Sequence, residues 1–293
     1  MELIFETLID RIPGFRQAAQ GAARALHQVV LKGGTPARKV ADLLHGTWLG
    51  HPLHPLLTDV TIGAWLYASL LDLFGLFTRS KPAQQAGDAL AALGVASAVP
   101  TALAGLTDYS GIKRGAAPHA ALHALLNTEA LTYYSLSLAA RRQDRRALAT
   151  ILSQLGLGTV MISAYIGGML VYKHRVGVNH APKAAGPKDW TPVLPESELA
   201  EHQPRRVAVD GEAVLLYRYG GTVYAVGAVC AHAGGPLEEG TFDGTCVQCP
   251  WHDSVFDLRD GSVVHGPATF PQPRYRARIA DGQIEVQVYQ ERA

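Results

Sequence analysis

Two short pairs of cysteine and histidine constrain this chain more than any other feature of its sequence. Cys230 and His232 are separated by one residue, and Cys249 and His252 by two. Two thiolates on one iron and two imidazoles on the other can hold a cluster of two irons and two sulfides. Because imidazoles are neutral, this ligand set raises the reduction potential above that of an all-thiolate cluster. The spacing therefore predicts a [2Fe–2S] centre held by two facing loops.

Zinc is the alternative metal, since it also accepts two cysteines and two histidines. Structural zinc sites favour a Cys-x-x-Cys pair followed by paired histidines, and this order does not occur here. The third cysteine, Cys246, stands three residues before Cys249. Because Cys249 is already assigned to the cluster, we expect Cys246 to be a small packed thiol.

Residues 190–288 resemble a Rieske iron–sulfur domain. The resemblance rests on both ligand loops and on three neighbouring motifs: Gly234-Gly235-Pro236, Ser254-x-Phe256 and Gly266-Pro267-Ala268. It implies that the cluster ligands are Cys230, His232, Cys249 and His252. It also implies that the cluster is surrounded by Ser254, Trp251, Gly266 and Pro267. The alternating apolar residues and Asp-Gly turns of this segment agree with the antiparallel β fold of the family.

Two differences separate the segment from the respiratory branch of that family. Rieske proteins of cytochrome bc complexes join their ligand loops by a disulfide, where this chain has Gly235 and Trp251. They also carry a serine and a tyrosine that donate hydrogen bonds to cluster sulfurs; Ser254 matches the serine, but Phe256 replaces the tyrosine. Fewer donors stabilise the reduced state less, so we expect a lower potential. The segment is closer to the Rieske ferredoxins that feed oxygenases.

Four apolar stretches precede this segment, each long enough to cross a hydrocarbon core. They are residues 56–77, 86–106, 120–140 and 148–172. A soluble bundle would show charged outer faces at every turn. The run His51-Pro52-Leu53-His54-Pro55 resembles the marker of a bacterial family of four-helix membrane domains of unknown function, over about residues 41–172. The predicted fold is an all-α four-helix transmembrane bundle followed by an all-β Rieske-type domain.

The sequence suggests a division into four segments. Residues 1–50 form an amphipathic helical region, for which a flexible tail is the alternative. Residues 51–175 form the transmembrane domain, 176–189 a linker rich in proline, alanine and lysine, and 190–293 the Rieske domain.

Ionisable side chains collect near one end of the predicted bundle. These are His51, His54, Asp59, His119, His123 and Glu129. Ionisable groups in membrane helices are costly and often mark a site. Three interpretations stay open: a b-type haem or metal held by histidine pairs, a quinone and proton site, or histidines that only mark the wet interface, where Pro52 and Pro55 begin the helix.

The predicted function is one-electron transfer, without catalytic residues of its own. The chain would be a membrane-anchored Rieske ferredoxin that works with an unidentified redox partner protein. Alternatives are a membrane oxidoreductase component with a quinone or b-haem site in its helical domain, and a redox sensor. An oxygenase is disfavoured, because few residues follow the Rieske segment where catalytic members carry a mononuclear iron domain. A net charge of +1 gives no support for a nucleic-acid partner.

We expect a multi-pass protein of the bacterial inner membrane, embedded in the lipid bilayer. Basic residues near the predicted spans divide evenly between the two sides, so they do not fix the orientation. The first ten residues lack the basic head of a signal peptide, and the ligand loops lack the disulfide expected in an oxidising space. These two facts favour a Rieske domain on the cytoplasmic side.

Overall fold

The computed structural model describes residues 2–181 and 185–289, and it divides into two compact units. One unit, called here the helical unit, comprises Met1–Lys32 and Leu53–Val176. The other, the β unit, comprises Gly33–Pro52 and Gly177–Ala293. The first fifty residues are therefore shared between the two units. The four-segment division expected from the sequence stays a prediction.

Seven α-helices occur in the described part of the chain. They are α1 (Glu2–Arg11), α2 (Phe15–Lys32), α3 (Gly34–His45), α4 (Leu53–Thr78), α5 (Lys81–Ser110), α6 (Ala117–Arg142) and α7 (Arg146–Tyr172). All but α3 belong to the helical unit. Helices α4 and α5 pack as one hairpin and α6 and α7 as a second, while α1 and α2 pack against the four-helix core.

Three of these helices, α4, α5 and α7, are long and apolar enough to cross a membrane, with mean hydropathies of 1.6, 1.8 and 1.6 over their most apolar windows. Helix α6 does not reach that hydropathy, and it contains Glu129, Arg141 and Arg142. The predicted order of an all-α bundle followed by an all-β domain is confirmed. Of the four apolar stretches, the one at residues 120–140 is too polar to qualify by composition.

The two hairpins have related sequences. Leu53-His54-x-Leu56-Leu57 in α4 corresponds to Leu122-His123-x-Leu125-Leu126 in α6. In α5, Leu93-Gly94 is followed by Thr101-Ala102-x-x-Gly105, and in α7, Leu155-Gly156 is followed at the same spacing by Ser163-Ala164-x-x-Gly167. The helical core is therefore an internal repeat of one hairpin.

Corresponding aromatic residues of the two hairpins meet in the middle of the core. Trp65 of α4 stacks on Tyr134 of α6, with ring centres 4.4 Å apart and planes 4° from parallel. Gly94 of α5 faces Trp65, and Gly156 of α7 faces Tyr134. A Cβ added at either glycine would lie within 3 Å of the ring, so each large side chain requires a glycine on the neighbouring helix.

A network of buried and partly exposed charges lies two helical turns beyond the aromatic stack. Arg141 of α6 donates two hydrogen bonds to the Asp72 carboxylate of α4, one of them at 2.8 Å. Arg141 also donates to Asp88 of α5 at 2.7 Å, and Asp88 accepts two further bonds from Arg146. The Ser153 hydroxyl donates to Asp72. Buried charges are tolerated only when they are paired and hydrogen-bonded, as they are here.

The β unit contains two antiparallel sheets. Its strands are β1 (Thr191–Pro195), β2 (Pro204–Val209), β3 (Glu212–Tyr219), β4 (Thr222–Gly227), β5 (Thr241–Asp243), β6 (Cys246–Gln248), β7 (Val255–Asp257), β8 (Val263–His265), β9 (Arg274–Ala280) and β10 (Gln283–Val288). The larger sheet has the order β1-β10-β9-β4-β3-β2, and the smaller has the order β5-β6-β7-β8. Buried residues of both sheets, including Leu215, Val226, Val247 and Phe256, form one apolar core next to the cysteine loops.

Helix α3 belongs to the β unit although it precedes the helical core in the sequence, and it contacts β8. Gly46 ends the helix with a left-handed φ of 84°, and its N–H donates to the carbonyls of Asp42 and Leu43. A short 3-10 helix, Thr47–Leu49, follows. This glycine is needed because a residue with a Cβ rarely adopts such a φ.

Candidate metal centre

Two loops of the β unit bring the four predicted ligands together. One loop follows β4 and carries Cys230 and His232; the other follows β6 and carries Cys249 and His252. Both cysteines are buried, and their thiols are hydrogen-bonded to each other. The two imidazole ring centres are 5.0 Å apart, edge to face. The site thus presents one pair of sulfurs and one pair of ring nitrogens.

Backbone hydrogen bonds close both loops. In the first, the N–H of Cys230 donates to the carbonyl of Gly235 at 2.8 Å, and the N–H of Gly234 donates back to the carbonyl of Cys230 at 2.8 Å. In the second, the N–H of Cys249 donates to the carbonyl of Ser254 at 2.8 Å. The ligand positions are therefore fixed by backbone geometry as well as by side-chain packing.

The donor set fits a two-iron cluster better than a single ion. Among the described residues, no three side chains of histidine, cysteine, aspartate or glutamate surround one point. Two thiols and two imidazoles in separate pairs match the split ligation of such a cluster. Gly235 allows the loops to approach, because a Cβ there would lie 2.8 Å from the Cys249 Sγ.

The pKa values of the two thiols are displaced in opposite directions. The hydrogen bond with Cys230, helped by the N–H groups of Trp251 and His252 and opposed by burial, lowers the pKa of Cys249 to about 7. The same hydrogen bond, together with burial, raises the pKa of Cys230. Metal binding would displace the thiol protons, because thiolate is the ligand form.

A hydrogen bond through Ser254 connects the loop that carries Cys249 and His252 to the proline loop, Gly266-Pro267-Ala268. Ser254 is fully buried, and its Oγ accepts a hydrogen bond from the N–H of Ala268 at 3.0 Å. Phe256 is also fully buried. Trp251 is 52% exposed, and its indole lies against the position of Gly235. Cys246 lies on β6, where it is partly exposed.

The six ionisable residues predicted to form a site do not lie together in the structure. His54 and His123 lie together, with ring centres 6.3 Å apart. His119 is buried, 3.2 Å from the Glu6 carboxylate of α1. Asp59 and Glu129 lie on exposed sides of their helices. His51 belongs to the β unit, where it is exposed and its Nδ1 is 2.8 Å from the carbonyl of Pro52.

The His54 and His123 imidazoles have corresponding surroundings in the two hairpins. His54 Nδ1 is 2.9 Å from the carbonyl of Thr101, and His123 Nδ1 is 2.8 Å from the carbonyl of Ser163. Each ring also packs against a glycine of the neighbouring helix, Gly105 and Gly167 respectively. A carbonyl oxygen can only accept a hydrogen bond, so the ring nitrogen must donate. This contact assigns the proton of each neutral ring to Nδ1 and leaves a lone pair on Nε2.

The repeat differs at the position one turn after each histidine. In α6, the Asn127 side-chain amide is 3.0 Å from His123 Nε2. In α4 the corresponding residue is Thr58, whose hydroxyl donates to the carbonyl of Pro55 instead. Among the described residues, His54 Nε2 has no hydrogen-bond partner. The repeated Leu-His-x-Leu-Leu motif is the sequence signal that could have singled out this pair.

Comparison with known proteins finds a matching family model for a segment of each unit. Residues 189–276 match the family model of the Rieske [2Fe-2S] domain, and residues 50–180 match the model described as Predicted membrane protein (DUF2231). The anthranilate 1,2-dioxygenase ferredoxin subunit of Burkholderia cepacia is 33% identical over 100 residues, which cover 34% of this chain and 93% of that protein. Ferredoxin CarAc of Metapseudomonas resinovorans is 33% identical over 98 residues, which cover 33% of this chain and 92% of that protein. The solved ferredoxin of carbazole 1,9a-dioxygenase from Nocardioides aromaticivorans IC177 is 29% identical, with a TM-score of 0.33, and covers 34% of this chain and 98% of its own.

Proposed function

The chain belongs to the Rieske ferredoxin family through its C-terminal domain, and we propose that it is a membrane-anchored one-electron carrier. The observation that carries the proposal is the convergence of two buried thiols and two imidazoles from separate loops. Cys230 and Cys249 would hold one iron, and His232 and His252 the other. The bound cluster supplies the one-electron chemistry, while the protein sets its potential and access.

The site is exposed at its two histidines and buried at its two cysteines. Both cysteines are buried, whereas His232 and His252 are partly exposed and Trp251 between the second pair is half exposed. A redox partner protein would therefore contact these imidazoles and the indole. One relative named above is the ferredoxin subunit of anthranilate 1,2-dioxygenase, so the partner class that we propose is a protein that takes or supplies single electrons.

The helical unit would anchor the carrier in the lipid bilayer of the cell membrane. Helices α4, α5 and α7 have the length and composition of membrane spans, and residues 50–180 match a family described as membrane proteins. We place the Rieske domain on the cytoplasmic side, because its ligand loops contain glycine and tryptophan where a secreted domain would carry a disulfide.

The test is spectroscopy of the full-length protein purified anaerobically in detergent. We expect about two irons and two sulfides per chain and a paramagnetic resonance signal of a mixed-ligand [2Fe–2S] cluster that appears on reduction. Recovery of zinc in place of iron contradicts the proposal. A cluster that exchanges electrons with no soluble or membrane donor would instead support a redox sensor.

We also propose a second function, a quinone and proton site at His54, for which the open Nε2 is the specific observation. A haem held by both histidines would need the Nε2 of His123, which already contacts Asn127. A quinol hydroxyl or a proton needs only one acceptor nitrogen, and His54 offers one. The geometry therefore favours quinone or proton chemistry over a b-type haem. His51, Asp59, His119 and Glu129 lie outside this pair.

Quinone extracted from the purified protein would test this second function. We expect the wild-type protein to retain quinone, His54→Gln to lose most of it, and Thr58→Ala to keep it as the matched control on the same helix. A Soret absorption band that disappears in both His54→Ala and His123→Ala would establish a haem site instead. Equal quinone content in the wild type and His54→Gln would remove His54 from the site.

A further inference from the structure

The β unit includes a segment that precedes the helical core in the sequence. This segment, residues 33–52, is called here the clasp, and it contains α3 and the following 3-10 helix. The Asp42 carboxylate of the clasp contacts two consecutive residues that lie more than two hundred positions away in the chain. Its Oδ2 is 2.7 Å from His265 Nδ1, and its Oδ1 accepts a hydrogen bond from the N–H of Gly266 at 2.8 Å.

Packing holds the clasp tightly on this loop. A Cβ added at Gly266 would lie 3.0 Å from the His45 ring and 3.3 Å from the Thr47 methyl group. His45 is buried, with 3% of its surface exposed. The backbone of Asp42 is itself fixed, because its carbonyl accepts hydrogen bonds from the N–H of Gly46 and from the Thr47 hydroxyl. The carboxylate therefore sits at the end of an anchored helix rather than on a mobile side chain.

The contacted residues lead directly to the candidate cluster. Gly266 begins the proline loop, and two residues later Ala268 donates its N–H to the Ser254 hydroxyl oxygen at 3.0 Å. The carbonyl of Ser254 accepts from the N–H of Cys249 at 2.8 Å. Hydrogen bonds thus run from Asp42 through the proline loop to the loop that carries two of the four ligands.

We propose that Asp42 is a positioning residue for the iron–sulfur centre and that the clasp holds the proline loop against Ser254. The proposal rests on the proposed function, since it assumes that the cluster is present. It gives Asp42 a role that the Rieske segment alone does not supply, because the residue lies outside residues 189–276. The Ser254 Oγ already accepts from Ala268, so its own proton is directed elsewhere, and a fixed hydroxyl can donate it to a cluster sulfur.

Two substitutions at Asp42 separate positioning from charge. Asp42→Ala removes both acceptor oxygens and frees the proline loop, so the Ser254 hydrogen bond to the cluster weakens and the midpoint potential falls below that of Asp42→Asn, which loses the same charge. Asp42→Asn removes the negative charge but keeps one oxygen for the Gly266 N–H. Loss of a nearby negative charge favours the reduced cluster, so its potential stays level or shifts to a more positive value.

The experiment is a redox titration of the full-length protein, followed by paramagnetic resonance, on the wild type and both variants. Glu198→Ala, which removes an exposed carboxylate elsewhere in the β unit, is the control for charge alone. Amide hydrogen exchange of residues 264–268 is measured on the same samples without their metal, and we expect at least a tenfold loss of protection in Asp42→Ala only. His265→Ala, which removes one of the two contacts, takes the place of Asp42→Ala if that variant does not fold.

Each outcome decides the proposal. A potential of Asp42→Ala that lies below those of Asp42→Asn and Glu198→Ala, with lost protection of the proline loop, supports it. Equal potentials in Asp42→Ala and Asp42→Asn overturn it. A wild-type protein without any cluster would instead overturn the proposed function, so the two failures are distinguishable.

Discussion

The β unit and the helical unit assemble their polar side chains in different ways. In the β unit, two short loops present the candidate ligands, and backbone hydrogen bonds within each loop fix their positions. In the helical unit, partners come from separate helices: Asp72 and Arg141 are 69 residues apart, and His54 and Thr101 are 47 apart. A loop site depends on local backbone geometry, whereas a site between helices depends on the packing of the whole bundle. The two units should therefore respond differently to single substitutions.

The largest expected effect is the loss of the cluster from the β unit with the helical unit intact. Cys249→Ser replaces a thiolate ligand by a hydroxyl, which is a poor ligand for iron–sulfur clusters. We expect no [2Fe–2S] resonance signal, while the helical content measured by circular dichroism stays unchanged. Cys246→Ser is the matched control and should retain the full signal. Loss of the signal in both variants would contradict the ligand assignment.

Breaking the buried ion pair should have the largest effect on the helical unit. Arg141 is 3% exposed, and Arg141→Met leaves the Asp72 carboxylate buried without its cation. Removal of one partner of such a pair costs about 3–5 kcal/mol. We expect that fall in the free energy of unfolding in mixed detergent micelles, with Arg142→Met, an exposed neighbour, close to the wild type. A double variant, Asp72→Leu with Arg141→Met, should recover part of the loss.

A smaller effect is expected where the aromatic stack fits against glycine. A Cβ at Gly156 would lie 2.8 Å from the Tyr134 ring, whereas a Cβ at Gly158 of the same helix meets no atom within 4 Å. Gly156→Ala should therefore destabilise the unit by about 1–3 kcal/mol, the usual range for overpacking. Gly158→Ala should leave the free energy of unfolding unchanged or slightly higher. Equal effects of the two substitutions would show that the stack can shift at little cost.

The smallest expected effect tests the ion pair between the buried Asp257 carboxylate and the exposed Arg259 of the β unit. A hydrogen bond from Arg259 lowers the pKa of Asp257, so the folded state favours the carboxylate. This stabilisation is present above the unfolded-state pKa of about 3.9 and is lost as the pH falls through the lower folded value. We expect Asp257→Asn to melt at a lower temperature than the wild type near neutral pH, and the difference to vanish in strong acid. Asp210→Asn, at an exposed turn, should match the wild type throughout.

The sequence predicted the β unit more completely than the helical unit, for a physical reason. Cysteine and histidine at fixed short spacing specify a loop site directly, so Cys230 to His252 indicated both the cofactor and the fold. The buried partners of the helical unit carry no such local signal. Arg141 and Arg146 lie in a run that is typical of a solvated loop. In the structure Arg141 is buried against Asp72, and the partly exposed Arg146 pairs with Asp88.

The clasp was also beyond prediction from the sequence. Asp42 lies on an amphipathic helix of ordinary composition, and its contact with Gly266 spans 224 residues of chain. Asp59 and Glu129 illustrate the opposite case. Their position within apolar stretches suggested an interior site, but they lie on exposed sides of their helices. Helical periodicity alone does not tell which face of a largely apolar helix meets its neighbours.

The stacked aromatics and the ion pair occupy matching positions in the two hairpins, and this bears on how the bundle can have arisen. If one hairpin dimerised with an identical copy, positions 72 and 141 would hold the same residue, and like charges would meet at the symmetry axis. Asp72 and Arg141 attract one another only because the halves have diverged. Their charges make the two halves complementary, so a second copy of either half in place of its counterpart would set like charges against each other at this position.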